Sequence, residues 1–205
     1  MPAGSGARIA VIACGALALD VQAISRRRGW QLDVVPIPAL LHNRPERIPE
    51  AVLGKLASLR NSYDRVVLAY GDCGTYGALD QLGIERLEGG SCYEVFAGEL
   101  VSQAMEQQPG TYLLTDFLAR TFEHTVVREL GLDRDPTLRE EYFRNYTRVL
   151  WLAQRLTPAN LAAAQSAAAR IGLPLEVQEV GNVGLERALE RLLEGAGRSR
   201  AYSSR

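Results

Sequence analysis

The sequence is poor in lysine, histidine, cysteine and methionine, and these shortages narrow its range of functions. Its 205 residues include three cysteines, two histidines and two methionines. Lys55 is the only lysine, so arginine supplies nearly all of the 23 basic side chains, against 24 acidic ones. The net charge of −1 lacks the basic excess that favours binding to nucleic acids and anionic membranes. We therefore expect neither as a partner.

Long apolar runs are missing as well, although 47% of the residues are hydrophobic. No stretch reaches the roughly 18 uninterrupted apolar residues of a membrane helix, and the start lacks the basic region of a secretory signal. We expect a soluble, cytoplasmic protein. Its length suits a single domain, 1–205, with a flexible tail at 196–205. The sequence carries no signal for an oligomeric state.

The cysteines are too few, and odd in number, for a disulfide framework in a chain without an export signal. Reduced thiols or metal-bound thiolates are the better interpretation of all three.

Short β-branched runs alternate with segments of helical spacing along most of the chain. The runs predict six strands: RIAVIA at 8–13, QLDVVPI at 31–37, RVVLAY at 65–70, a short strand with a turn in IERLEGG at 84–90, TYLLT at 111–115 and PLEVQEV at 174–180. The segment 116–171 is predicted to be a helical insertion. This alternation predicts an α/β fold: a single-domain, open, mainly parallel sheet of about six strands with helices on both faces.

The three cysteines, His42 and Asp116 each follow one of five successive predicted strands. Cys14 ends the first, His42 lies in the loop after the second, and Cys73 lies in the turn GDCGTYG after the third. Cys92 starts the helix after the fourth, and Asp116, a good N-cap, follows the fifth. Because ligands of parallel sheets bind beyond the carboxyl ends of the strands, we expect these residues to meet at one edge.

Three thiolates and an imidazole would complete a Cys₃His zinc shell, and three of the four with water would make an open, catalytic one. The predicted ligands are Cys14, His42, Cys73 and Cys92. They suit zinc, or another transition metal that prefers soft ligands, with a small-molecule substrate at the remaining position. No pair is CxxC, so this prediction depends on the predicted topology. His42 has an alternative role as a contact of the following helix.

Purely structural roles are alternatives to the predicted zinc site. Free cysteine is among the most buried residue types, so packing explains Cys14 equally well. Gly71 and Gly74 let backbone approach a ligand closely and, with Thr75, form a candidate cofactor-binding turn, although Thr75 could simply close that turn. The neighbouring Tyr70 is equally consistent with an ordinary pocket wall.

Cys92 at a helix N-terminus suits a nucleophile as well as a ligand, because the free N–H groups stabilise a thiolate. Cys73 and Cys92 are therefore the candidate catalytic thiols. Glu94 is either the capping-box partner of Ser91 or a carboxylate that orients a ligand or water, which makes it a candidate catalytic residue.

Three motifs carry a family resemblance: ACGAL at 13–17, LHNRPERIP at 41–49 and YGDCGTYGALD at 70–80. In this order they resemble the DUF1638 family of uncharacterised proteins over most of residues 8–115. Many relatives have a His-Asp-Cys type motif near the fourth loop, whereas GGSCYE at 89–94 keeps Cys92 without the histidine. The resemblance implies no activity. It implies a context, corrinoid-dependent methyl transfer with a partner protein, in which zinc with sulfur ligands would activate a thiol.

Three functions remain open. The first is a metal-dependent enzyme, with zinc, that acts on a small molecule or a thiol or methyl-type substrate. The second is a metal-free enzyme with a cysteine nucleophile. The third is a non-enzymatic protein that binds and delivers a metal or a corrinoid cofactor.

Overall fold

The computed structural model describes residues 7–195, in which strands and helices alternate. The strands are β1 (Ile9–Cys14), β2 (Leu32–Ile37), β3 (Arg65–Ala69), β4 (Thr111–Thr115), β5 (Arg148–Ala153) and β6 (Leu175–Glu179). The α-helices are α1 (Ala18–Arg28), α2 (Ile48–Leu59), α3 (Cys92–Gln107), α4 (Asp116–Phe122), α5 (Leu138–Phe143), α6 (Pro158–Ile171) and α7 (Val183–Glu194). The predicted α/β class is confirmed. The predicted tail, 196–205, lies outside the described residues.

The six strands form two parallel sheets of three, in the orders β2-β1-β3 and β4-β5-β6. They therefore do not form the single sheet that the sequence predicted. Contacts divide the chain into two compact units, the first made of Met1–Cys92 with Leu185–Arg205 and the second of Tyr93–Gly184. The single domain predicted from the length stays a prediction. Among residues 7–195, no helix is long and apolar enough to cross a membrane.

The strand predicted at 84–90 is wrong. This segment makes only one parallel bridge to β3, between Leu68 and Arg86. Leu68 N–H donates to Glu85 O at 2.8 Å and its carbonyl accepts from Leu87 N–H at 3.0 Å, after which the chain turns away at Gly89. One bridge covers part of the outer edge of β3 without extending the sheet.

The predicted helical insertion at 116–171 is also wrong, because its run RVLWLA forms β5, the middle strand of the second sheet. A short, wholly apolar run fits a buried strand and a buried helix equally well, so periodicity could not separate them. The pairing of β5 with β4 and β6 decides the outcome. Trp151, fully buried in β5, packs in the core cluster of this unit.

Asp116 organises the second unit at the carboxyl end of β4. It is not the predicted N-cap of α4, since Thr115 caps that helix by accepting from Leu118 N–H at 3.2 Å. The buried Asp116 carboxylate accepts four hydrogen bonds instead. The donors are Trp151 Nε1 at 3.0 Å, Gln154 N at 3.1 Å, Arg155 N at 2.9 Å and Asn160 Nδ2 at 2.9 Å. This carboxylate therefore ties β4, β5 and α6 together.

Helix α7 completes the first unit. Its Glu186 forms an ion pair with Arg27 of α1. Arg65, in β3, donates to the carbonyl oxygens of Leu192 and Leu193 at the end of α7, both at 2.7 Å. The last helix therefore packs with the first sheet, although the strand before it belongs to the second.

We expect Asp116→Asn to lower the free energy of unfolding by about 2 kcal/mol, because an amide NH₂ would face donors that lose their acceptor. Urea unfolding measures the change. The matched control is Asp133→Asn at an exposed position of the same unit, which should change stability by less than about 0.5 kcal/mol. Equal effects of the two substitutions would contradict the role given to Asp116.

Candidate functional site

The candidate site lies at the carboxyl ends of β1 and β3, two neighbouring parallel strands of the first unit. Cys14 is the last residue of β1, and Tyr70 directly follows β3. Since Ala13 pairs with Ala69, Cys14 and Tyr70 stand level at the edge of the sheet. The register of one strand pair thus brings together two residues that are 56 positions apart.

The loop that carries Cys73 is held by the side chain of Asp72. This carboxylate accepts from Thr75 Oγ1 at 2.8 Å, Gly77 N at 2.8 Å and Tyr76 N at 3.0 Å. Desolvation raises the pKa of the Asp72 carboxyl, but these donors outweigh it and the net pKa is lowered. Thr75 therefore closes the turn, as its alternative interpretation proposed.

Two residues of this loop have left-handed backbone conformations that favour glycine. Cys73 has a φ of 50° and Tyr76 a φ of 51°. Such a conformation costs roughly 1 kcal/mol or more for each residue, and it persists where surrounding bonds impose it. The bonds to Asp72 supply that restraint. Strain held in place at Cys73 is typical of a functional position.

A second segment, residues 89–91, runs beside this loop. Asp72 N–H donates to Gly89 O at 2.9 Å, and Cys73 N–H donates to Gly90 O at 2.8 Å. A Cβ on Gly71 would lie 3.0 Å from the Ser91 carbonyl carbon. Gly71 therefore permits this close approach between two backbone segments. The next residue after this segment is Cys92.

Cys73 is a buried thiol whose pKa is raised well above the ordinary value of a cysteine. Burial, followed by the neighbouring Cys14, raises its pKa to about 11, although the backbone N–H groups of Cys92 and Gly71 oppose the shift. The thiol is therefore protonated at neutral pH. The effect of the Cys92 N–H links the Cys73 thiol to the backbone of Cys92.

Cys14 is buried as well, and burial raises the pKa of its thiol. The N–H of Ala16, the Tyr70 hydroxyl and the N–H of Leu17 act in the opposite direction. Cys14 thus lies next to the backbone that leads into α1. Both buried thiols are neutral near pH 7.

Tyr70 is the residue whose role the sequence did not reveal. Its side chain is fully buried, and burial together with the charges of Cys14, Cys73 and Cys92 raises its pKa. The hydroxyl approaches the Cys14 thiol, yet it makes no hydrogen bond of normal geometry with any described residue. An unsatisfied buried hydroxyl costs about 1–3 kcal/mol. Its position directly before Gly71, in the motif of Cys73, was the available signal.

Cys92 is the accessible thiol of the three. It is half-buried, whereas Cys14 and Cys73 are buried, and it is the first residue of α3. Glu94 lies in the same first turn, and its capping-box pairing with Ser91 stays a prediction. Helix α3 departs from helical geometry at Ala97, with a φ of −156° and a ψ of 53°, so its first segment is short.

Two other predicted site residues, His42 and Gly74, lie in the segment that follows β2 and in the loop of Cys73, respectively. His42 lies exposed in a short 3₁₀ turn at Ala39–Asn43, and desolvation by the protein around it lowers the pKa of its imidazole. Gly74 has a φ of 81°, and a Cβ there would lie 3.6 Å from Pro45. This places the loop of Cys73 beside the segment that follows His42.

The predicted metal ligands do not form a ready coordination shell. Within residues 7–195, no three side chains of His, Cys, Asp or Glu are grouped so that they could hold a metal ion. The structure brings Cys14, Cys73 and Cys92 into electrostatic range of Tyr70, and His42 is not among the groups that shift these pKa values. Metal binding stays a prediction.

Replacing Tyr70 by Phe is expected to raise the free energy of unfolding by about 1 kcal/mol, because it removes a buried hydroxyl without a partner. Urea unfolding measures this. Tyr63→Phe is the matched control. The Tyr63 hydroxyl interacts with Asp33, so its removal should not raise the free energy of unfolding. A loss of stability in Tyr70→Phe would show that the hydroxyl is satisfied in solution.

The raised pKa of Cys73 predicts a pH dependence of stability. A thiol with a folded pKa near 11 and an ordinary value of 9.0 favours folding below pH 9, and the benefit is lost as the pH rises towards 11. At pH 10 the loss is about 1 kcal/mol. Urea unfolding at pH 8 and pH 10 should show a smaller decrease for Cys73→Ser than for the wild type. Equal decreases would contradict the shift.

Comparison with known proteins gives one match. Residues 37–189 match the family described as "Protein of unknown function (DUF1638)", and this segment contains Tyr70, Cys73 and Cys92 and begins after Cys14. No curated protein and no solved structure shows significant similarity. Because the match covers more than half of the chain, the protein belongs to the DUF1638 family.

Proposed function

We propose that the chain is an enzyme that acts on a small electrophilic molecule without a metal, with Cys92 as its nucleophile. One observation carries this proposal: of the three clustered thiols, two are buried and neutral, and only Cys92 is partly exposed. A cluster that served packing alone would have no reason to leave one thiol accessible at a helix N-terminus.

The local structure around Cys92 suits a thiolate. The N–H groups in a helix's first turn stabilise negative charge. The thiolate is the nucleophilic form of cysteine. The Cys92 thiolate would form a bond to an electrophilic carbon of the substrate as the bond from that carbon to a leaving group breaks.

Cys73 is suited to the opposite role. With a pKa of about 11, it keeps its proton at neutral pH and can give it to a leaving group as the bond to Cys92 forms. A proton donor needs to be held in place, and the bonds of Asp72 and the contact with residues 89–90 do so. Arg86 contributes a positive charge near both Cys73 and Asp72.

Tyr70 would supply a hydrogen bond to the substrate. Its hydroxyl is buried beside the thiols and has no partner of normal geometry among the described residues, so an oxygen or nitrogen of a bound molecule would satisfy it. Such an unpaired donor lowers the stability of the free protein and favours the bound state.

We expect iodoacetamide at pH 7.5 to modify Cys92 much faster than the two buried thiols, because it is the partly exposed one and begins a helix. Mass spectrometry of timed samples gives the three rates. In urea the three rates should become equal, which serves as the control. Fastest labelling of Cys14, or equally slow labelling of all three in the folded protein, would contradict the assignment.

A zinc-dependent enzyme is the second candidate. What favours it is that three soft ligands, Cys14, Cys73 and Cys92, each lie within electrostatic range of Tyr70, and Cys14 also lies within range of Cys73. These residues, with His42, would hold the metal, which would activate a bound thiol or water. The side chains do not fit zinc as they stand and would have to regroup. The corrinoid cofactor, the methyl-transfer partner and the carrier role stay predictions of the family resemblance.

Zinc titration separates the two candidates. If zinc is the cofactor, protein freed of metal should bind one equivalent and release protons, because the thiols must ionise to bind. Calorimetry in two buffers of different ionisation enthalpy measures both quantities. Cys73→Ser should weaken binding strongly, whereas Ser102→Ala, on α3 outside the cluster, should not. Absence of binding to the wild type would eliminate the second candidate.

A further inference from the structure

We propose that Cys92 and Cys73 form a reversible redox pair, in which a hydroperoxide oxidises Cys92 and Cys73 converts the product into a disulfide. The site would thus be switched off by oxidation and restored by a thiol reductant. The inference shares with the proposed function only the view that Cys92 is the accessible thiol.

The geometry that favours a disulfide is the pairing of two backbone segments. Residues 72 and 73 donate hydrogen bonds to residues 89 and 90, at 2.9 and 2.8 Å, and Gly71 packs on Ser91 without room for a Cβ. The backbone N–H of Cys92 also lowers the pKa of the Cys73 thiol, which agrees with this placement. A disulfide needs Cα atoms roughly 4.4–6.8 Å apart, and the backbone pairing brings Cys73 close to the segment that leads into Cys92.

The two thiols differ in the way that such a pair requires. Peroxides react with accessible thiolates, and Cys92 is the partly exposed thiol of the three. Cys73 is buried, so it is protected from direct attack. Its backbone nevertheless pairs with Gly90, shortly before Cys92, which is the neighbourhood that a resolving thiol needs. Cys14 is the competing partner.

The chemistry balances in two steps. The Cys92 thiolate attacks one peroxide oxygen, the O–O bond breaks, and Cys92 becomes a sulfenic acid with release of hydroxide, or of an alcohol from an organic peroxide. The Cys73 sulfur then attacks the Cys92 sulfur. The S–S bond forms, the S–O bond breaks, and the Cys73 proton leaves with the oxygen as water. The hydroperoxide is reduced and the two cysteines are oxidised.

Hydrogen peroxide and the full-length protein suffice for the test. Trypsin cuts after Arg8, Arg26, Arg65, Arg86 and Arg120, which puts the three cysteines on separate peptides. After one to two equivalents of peroxide at pH 7.5, we expect two of the three thiols to disappear and a Cys73–Cys92 linked peptide to form. Dithiothreitol should restore both thiols. Cys14→Ser should give the same linked peptide.

The variants distinguish the roles of the two residues. In Cys73→Ser, Cys92 should accumulate sulfenic and sulfinic acid without a link, and in Cys92→Ser the thiols should persist at least tenfold longer. A linkage that includes Cys14, or a wild type that yields only oxidised Cys92, would overturn the inference. Fast labelling of Cys92 by iodoacetamide with no Cys73–Cys92 disulfide after peroxide treatment would overturn this inference and still support the proposed function. A disulfide together with slow labelling of Cys92 would support this inference and contradict the proposed function.

Discussion

The hydrogen bonds that join residues 72–73 to residues 89–90 are the constraint on which the candidate site depends. They hold two loops side by side, at 2.9 and 2.8 Å, although these loops belong to no common sheet. Asp72 fixes the first loop from within, and Gly71 allows the second to approach it. This pairing places Cys73 beside the segment that leads into Cys92.

Backbone strain and an unsatisfied hydroxyl at this site act against stability. Cys73 and Tyr76 adopt left-handed conformations, and the Tyr70 hydroxyl lacks a partner of normal geometry among the described residues. Each of these features lowers the stability of the folded state by about 1 kcal/mol or more. The second unit is different, because its buried Asp116 carboxylate has four donors. A fully satisfied polar network stabilises a fold, whereas an unsatisfied one is typical of a binding site.

The sequence predicted the elements of the first unit well. β1, β2 and β3 lie within one or two residues of their predicted runs, and Cys92 begins its helix as expected. The predictions failed where local pattern carries no information on pairing. RVLWLA is apolar throughout, so only its neighbours β4 and β6 identify it as a strand. IERLEGG was predicted to be a short strand and a turn, but it makes only one bridge, to Leu68, before it turns.

The sequence alone determined that three thiols follow strands or begin helices, because strand ends and helix starts leave local signals that a reader of the chain can recognise. It also predicted that Cys73 lies in a turn rich in glycine. Only the tertiary structure decided which thiols meet, which are neutral, and that Tyr70 lies among them. These properties depend on strand register, on the hydrogen bonds between loops and on desolvation, and all three arise from residues far apart in the chain.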